Sequence, residues 1–297
     1  MISKFLDPKN DFAFKKIFGT VRNKKILMGF LNDILDLKHP ISKIKFLKTI
    51  QDPEIASKKT SIVDVYCKDE SGRRFIVEMQ VASHAGFEKR APFYAANAYI
   101  RQLNQAEKYK DLKEVIFLAI ANFEMFPNKK DFISHYIILD EHTHENYIKD
   151  FSFTFLELPK FHKKKNQLKT PIDKWLYFFK HASDSEINDS ILTSKKDSTI
   201  CLAYKALNRA YWDEAELNAY EDVEKKNRDL DAAFDSSHYK GEKKREREIV
   251  QNMILNNLPN ELISQCSGLS IDEIQKIRSP SLNKNKTPQS RSLLGAS

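Results

Sequence analysis

The chain has 297 residues, 41% hydrophobic and 30% charged, enough for one large domain or a domain with an appendage, and apolar enough to bury a core. Cys67, Cys201 and Cys266 are few and widely spaced, and seven glycines form no GxGxxG or GxxxxGK[ST] pattern, so neither a disulfide framework, a zinc site nor a phosphate-cradling loop is indicated. No run approaches the roughly 18 apolar residues of a membrane span and the first residues carry no signal-like segment, so a cytoplasmic protein without a membrane partner is expected, while a formal charge of +8 favours a polyanion.

Residues 5–36 read as helical, with Phe14, Ile17, Phe18, Ile26, Leu27, Phe30, Leu31, Ile34 and Leu35 at near-helical spacing. Ile41 to Ile50 alternates as a strand does, with Ile44 and Phe46 on one side. Ser61–Cys67 and Arg74–Ala82 are rich in β-branched and apolar residues and flank Asp69-Glu-Ser-Gly72, which supplies turn chemistry, so they predict a hairpin. A helix follows over Phe87–Ala106, with Phe93, Ala96, Ile100 and Leu103 as its apolar stripe. Lys113–Asn122 contains a continuous apolar run of the kind found in a buried strand. Two more strands are expected over His135–Leu139 and Asp150–Leu158. From Pro171 onward the pattern is helical. Glu221–Glu248 mixes both charge signs, as a solvated helix or connector does. Ser270-Ile-Asp-Glu273 is a capping box opening a final short helix, and the sequence after Arg278 reads as a disordered tail.

The hairpin carries one acid on each arm. Folding it about Ser71 sets Asp64 opposite Glu78, each seven residues from that centre, and directly opposed side chains have Cβ atoms about 4.5–5.5 Å apart. Carboxylates so placed repel each other unless they hold a cation or share a proton. On the second arm Phe75, Val77, Met79 and Val81 point to a core, while Glu78 and Gln80 lie on the other face with Arg74, Ile76 and Ala82. A solvated strand face is the alternative. Ile62, Tyr66 and Ile76 share that face and speak against it.

An acid on one strand and Glu-x-Gln on the next resembles the active-site pattern of PD-(D/E)xK nucleases. More closely, the chain resembles the recombination-promoting nuclease (Rpn) family, also described as PD-(D/E)xK nuclease family transposases. The matching pieces are Pro8-Lys-Asn-Asp11-x-x-Phe14-Lys15-x-x-Phe18-Gly19, Phe30-Leu-Asn32, Ser61-Ile-Val-Asp64-Val, Ile76-Val-Glu78-Met-Gln80, Lys89-Arg90-x-x-x-Tyr94, Glu157-Leu-Pro-Lys-Phe161 and Gly268-Leu-Ser-x-x-Glu273-Ile, in the expected order. The resemblance implies an α/β restriction-endonuclease-like core, a mixed central sheet flanked by helices, with a helical C-terminal appendage. The domain limits expected are 1–165 for the core, 166–278 for the helical region and 279–297 for the tail.

The resemblance further implies a Mg²⁺-dependent DNA endonuclease that promotes recombination, Mn²⁺ being the other candidate ion. Asp64 and Glu78 would be metal ligands, with the Met79 carbonyl as a third. Gln80 stands where the wider superfamily often has Lys, and Gln is usual in this family. A neutral amide can only donate and accept hydrogen bonds, so more of the work falls on the metal. Asp11 matches the family's acidic residue on the first helix and is read as a catalytic-site residue, with a surface i,i+4 pair with Lys15 as the alternative.

Arg90, Tyr94, Asn97 and Arg101 share one polar helix face, with Arg90 the expected phosphate contact and a solvated face the alternative. Lys163, Lys164 and Lys165 suit DNA backbone or an ordinary loop equally. Glu141-His-Thr-His144-Glu145 has metal-ligand residue types but sits in a loop and is not read as a site. The second helix of the pair around Gly268 is too acidic at its start to read major-groove bases. DNA is the expected partner, a homo-oligomer is open, and strand transfer leaves no mark in the sequence. The competing class is a catalytically idle DNA-binding or mobile-element remnant protein.

Overall fold

The computed structural model describes residues 3–51, 61–83, 86–103, 108–184 and 198–278. The expected tail, 279–297, and residues 104–106 of the helix expected after the hairpin lie outside them. The chain divides into two compact units, Met1–Glu224 and Lys225–Ser297.

The helical pattern at the start resolves into two helices, α1 (Asp11–Phe18) and α2 (Lys24–Leu35), with a short 3-10 turn between them. Asn10 begins α1, its Oδ1 accepting from the N–H groups of Phe12 (3.0 Å) and Ala13 (3.3 Å), which satisfies donors that a helix start leaves orphaned. Its Nδ2 donates to the Tyr220 carbonyl at 3.2 Å, fixing the start of α1 to the body of the first unit.

Six strands form the main sheet: β1 (Ile44–Phe46), β4 (Val65–Asp69), β5 (Arg74–Gln80), β6 (Val115–Ala121), β8 (Phe151–Glu157) and β7 (Ile133–Ile137), in that spatial order. β2 (Ile50–Gln51) and β3 (Ser61–Ile62) pair separately. The centre, β5-β6-β8, is parallel, and the pairs β1-β4, β4-β5 and β7-β8 are antiparallel. Every residue of β6 is buried, as the continuous apolar run requires of a strand covered on both faces.

The β4–β5 turn is built by Asp69. Its carboxylate accepts from the Ser71 and Arg73 N–H groups at 3.0 and 2.9 Å and from Arg73 Nε at 2.7 Å. Gly72 takes φ +90°, a backbone region a side chain would strain.

Alternation sorts the strands onto two cores. Val65, Cys67, Phe75, Val77, Met79, Ile116, Leu118 and Ile120 face α1, α2, α4 (Pro171–His181) and α5 (Thr199–Leu207). Tyr66, Ile76, Phe117, Ala119 and Phe155 face α3 (Phe87–Ile100). Phe18, Phe30, Trp175 and Phe179, contributed by α1, α2 and α4, place ring centroids 5.0–6.1 Å apart. Each such side chain contributes about 1.5–3 kcal/mol by leaving water. A Cβ on Gly29 would overlap the Thr199 side chain, so this glycine permits the close approach of α2 to α5.

The compact unit therefore runs past residue 165: α4 and α5 supply core side chains, and Trp175 Nε1 donates to Asp33 Oδ2 on α2 at 2.7 Å. The elements described after α4 are all helices. α6 (Glu214–Leu255) is a single 42-residue helix, exposed along its charged middle. In the second unit, α7 (Asn260–Ser267) and α8 (Ile271–Arg278) gather Val250, Ile263 and Ile274 into a small core. Ser270 and Glu273 make the expected capping box, with Ser270 N–H to Glu273 Oε2 at 2.9 Å.

α3 departs from the sequence reading. Phe93 and Ile100 are 44% and 65% exposed, while Phe87, Ala91, Tyr94, Ala95 and Ala98 are buried. The helix turns its alanines to the sheet because small side chains let two elements pack closely. Val81, expected in the core, is exposed just beyond the end of β5.

Candidate active site

The hairpin register places Val65 against Val77, and continuing it sets Asp64 against Glu78. The chain bends at Asp64, immediately before β4. That bend frees the Asp64 N–H from the ladder, and it donates to Glu78 Oε1 at 3.0 Å. In return Asp64 Oδ2 accepts from the Met79 N–H at 2.9 Å. Gln80 Nε2 donates to the remaining Glu78 oxygen, Oε2, at 3.0 Å. Glu78 is 2% exposed, so the solvated-strand reading does not hold.

Sequence reasoning missed the third participant. Lys15 Nζ lies 2.7 Å from Asp11 Oδ1 and 3.5 Å from Asp64 Oδ1, so α1 delivers a cation to the pair. Asp11 reaches the site through Lys15, and its carboxylate is 54% exposed. The available signal was the absence of Lys at position 80 together with a Lys four residues after Asp11.

The electrostatics follow from burial. Loss of water, then the charge of Asp64, push the Glu78 carboxyl well up; the Asp64 N–H and the charges of Arg90 and Lys15 oppose this without reversing it. Burial likewise raises Asp64, against the Met79 N–H and Lys15. For Lys15, burial works to lower the ammonium, but Asp11 and Asp64 outweigh it and raise it. Two acids that resist ionising, beside a lysine that stays charged, make a site built to receive positive charge.

Arg90 opens the α3 face toward Glu78; its Nη2 donates to the Tyr94 hydroxyl at 3.2 Å, and its guanidinium stacks 5.3 Å from the Phe87 ring. Tyr94 is buried in the α3 core. Arg101 caps the other end of α3, about 16 Å further along the axis, where its charge acts on Tyr66. The helix therefore brings Arg90 to the carboxylates and carries Arg101 away from them.

Lys163–Lys165 follow β8, whose C-terminal end lies at the same edge of the sheet as Gln80, both being registered to Ala121. Lys163 Nζ is 2.7 Å from Oδ1 of Asp173, a buried carboxylate on the first turn of α4. The Lys164 N–H donates to Gln167 Oε1 at 2.8 Å in a short turn that includes Lys165. Glu157, from the quoted Glu-Leu-Pro-Lys-Phe segment, is a buried lock: Oε1 accepts from the Met125 N–H at 2.6 Å, and Oε2 meets Lys160 Nζ at 2.9 Å. The loop with His142 and His144 is exposed and folded on Asp140.

Among the described residues no group of three or more His, Cys, Asp and Glu gathers as a metal cage. The donor set that is present fits a different kind of ion. Mg²⁺ keeps several waters and takes only one or two carboxylates, and here there are two, raised by burial and held close. In a strand the N–H and C=O of one residue leave along the same edge. The Met79 carbonyl therefore points to the side on which its N–H meets Asp64.

A mixed sheet flanked by helices, with an acid before one strand and Glu-x-Gln on the next, defines a restriction-endonuclease-like protein of the PD-(D/E)XK class. The family of the PD-(D/E)XK nuclease family transposases matches residues 8–237, and the chain belongs to it. No curated protein and no solved structure matches the chain. Among the described residues no helix is long and apolar enough to cross a membrane.

Proposed function

We propose that this nuclease-family protein is a divalent-metal-dependent DNA endonuclease, with Mg²⁺ the favoured ion, Mn²⁺ the alternative, and DNA recombination the setting. The observation that carries the reading is the reciprocal bonding of Asp64 and Glu78 at the sheet end with Lys15 against them. Asp64, Glu78 and the Met79 carbonyl would hold the ion. When bound, it polarises a phosphoryl oxygen and lowers the pKa of its water.

The chain's own groups do the rest. Lys15, charged at neutral pH, is a donor rather than a base, and offers its ammonium to a phosphate oxygen beside Asp64. Asp11 keeps it there. Gln80 fixes the Glu78 carboxyl by its amide and leaves the cationic role to Lys15. Arg90 supplies a planar donor to the neighbouring phosphate. Backbone contacts of this kind position DNA without reading its sequence.

The test is nicking of supercoiled plasmid with Mg²⁺, with Mn²⁺ and with EDTA, by the wild-type chain and by Asp64→Asn. Metal-dependent nicking by wild type alone is expected. No nicking with either ion would overturn the nuclease reading and favour an idle DNA-binding protein.

A further inference from the structure

A cleft of about 530 Å³ opens in the first unit beside α1. Its walls carry Arg22, Lys25 and Lys205, all exposed, with no ion-pair partner for any of the three among the described residues. Lys16 also reaches it, stacking 4.3 Å over the Trp212 ring and pairing with Glu216, the cleft's acid. Trp212 is 6% exposed and forms part of the wall, whereas the neighbouring Tyr211, also in the lining, is 71% exposed. A cavity along α6 also gathers cations, Lys240, Lys243, Lys244 and Arg247, but there Lys243 pairs with Glu246 at 2.7 Å and Lys244 with Glu248 at 3.9 Å. Unopposed cations gathered in one concavity raise the local concentration of a polyanion.

The size and the aromatic lining narrow the ligand. A double helix, whose major groove alone is about 12 Å wide, does not enter a cavity of this volume, but a nucleotide or two of one strand does. Cations that track a backbone beside a ring on which bases stack are how proteins hold single strands without sequence preference. Lys15 and Lys16 are successive residues of α1, turned about 100° apart, one facing Asp64 and the other the cleft. We infer that the cleft binds single-stranded DNA, the stretch of strand adjoining the scissile phosphate. The inference rests on the nuclease reading only for that adjacency.

The experiment measures binding by fluorescence anisotropy in EDTA, so that no cleavage intervenes, using a labelled oligothymidylate and a duplex of equal length. The substitutions Arg22→Gln, Lys25→Gln and Lys205→Gln, made together, alter exposed side chains only. They should weaken single-strand binding at least tenfold and reduce the slope of log K against log salt by about 2, at roughly 0.7 per neutralised cation. Tyr211→Ala should weaken it about tenfold, the loss of one stacked base. Duplex affinity should change much less in both variants. Unchanged single-strand affinity and slope in the triple variant would overturn the cleft, as would an equal loss for duplex. Plasmid nicking on the same preparations separates the two readings: a wild-type protein that fails to nick but binds the strand through these residues sinks the nuclease alone.

Discussion

Asp64 and Glu78 are tied by crossed hydrogen bonds: the Asp64 main chain donates to the Glu78 side chain at 3.0 Å, and the Asp64 side chain accepts from Met79, the residue after Glu78, at 2.9 Å. Each carboxylate is thus oriented by the backbone of the opposite arm. The arrangement holds two acids together by spending main-chain donors on them, which is economical only where positive charge is to be received. Lys15 is that charge in the metal-free protein.

Asp64→Asn and Glu78→Gln are each expected to lower metal-dependent nicking by at least about 100-fold, the scale on which single groups acting on developing charge contribute. Both variants should fold, because each amide keeps an oxygen to accept the same backbone N–H. Nicking at the wild-type rate in either, with metal-dependent activity in the parent, would remove that residue from the site.

The pH dependence of stability has a definite sign. Burial first, and the Asp64 charge second, push the Glu78 carboxyl from 4.5 to about 8, and Asp64 moves in the same direction. Between those values the unfolded chain has released a proton that the folded chain keeps. Stability in EDTA should therefore fall as pH rises through that window, by up to about 1.4 kcal/mol per pH unit for each retained proton. Glu78→Gln should flatten the profile, and Mg²⁺ should stabilise wild type more at the upper end than at the lower. Thermal melts across the window check this; a wild-type profile as flat as that of the variant would show that Glu78 ionises normally.

The pairing of Asp64 with Glu78 was legible because a period of two residues and a turn at Asp69–Gly72 fix a hairpin's register. The buried face of α3 was not. Ranking residues by hydrophobicity favoured Phe93 and Ile100, whereas the helix buries Ala91, Ala95 and Ala98, whose value lies in close approach to the sheet rather than in apolar area. Local spacing also explained Lys15 too early. Its i,i+4 partner Asp11 accounted for it within one helix, while Asp64 comes from a distant part of the chain. The same holds for Lys163, whose partner Asp173 belongs to α4. Side chains bridging separate elements leave no periodic trace in the sequence.

Lys163 should register in stability. Burial pushes the Asp173 carboxyl up, but hydrogen bonds from Lys163 and from the Lys169 and Thr170 N–H groups outweigh it and hold it below its usual value. Such a group stabilises the fold above the unfolded-state pKa, and the effect is lost as pH falls through the lower folded one. Lys163→Met is expected to cost about 1.5 kcal/mol at neutral pH, the low end for bonds to charged groups, because the Lys163 side chain is 42% exposed. Urea denaturation at neutral and acid pH measures it. An unchanged midpoint at neutral pH would return Lys163 to the set of free surface cations.

Lys15 and Gln80 can be tested as a pair. If α1 supplies the cation that position 80 lacks, Lys15→Met should lower the nicking rate by about 100-fold. It should also bind Mg²⁺ more tightly than wild type, since a cation competing for Asp64 is gone. A residue that merely braced the site would lower rate and metal affinity together, so calorimetric Mg²⁺ titration separates the two roles. Gln80→Lys alone should retain or raise activity, and Gln80→Ala should slow cleavage with Mg²⁺ affinity near wild type, since its amide orients Glu78 from 3.0 Å. The decisive protein is Lys15→Met with Gln80→Lys, in which the cation moves from the helix to the strand. Recovery of a substantial part of the lost rate would show that the ammonium is what the site needs, whichever element carries it. A double variant no faster than Lys15→Met, with Mg²⁺ affinity intact, would confine Lys15 to tethering Asp11.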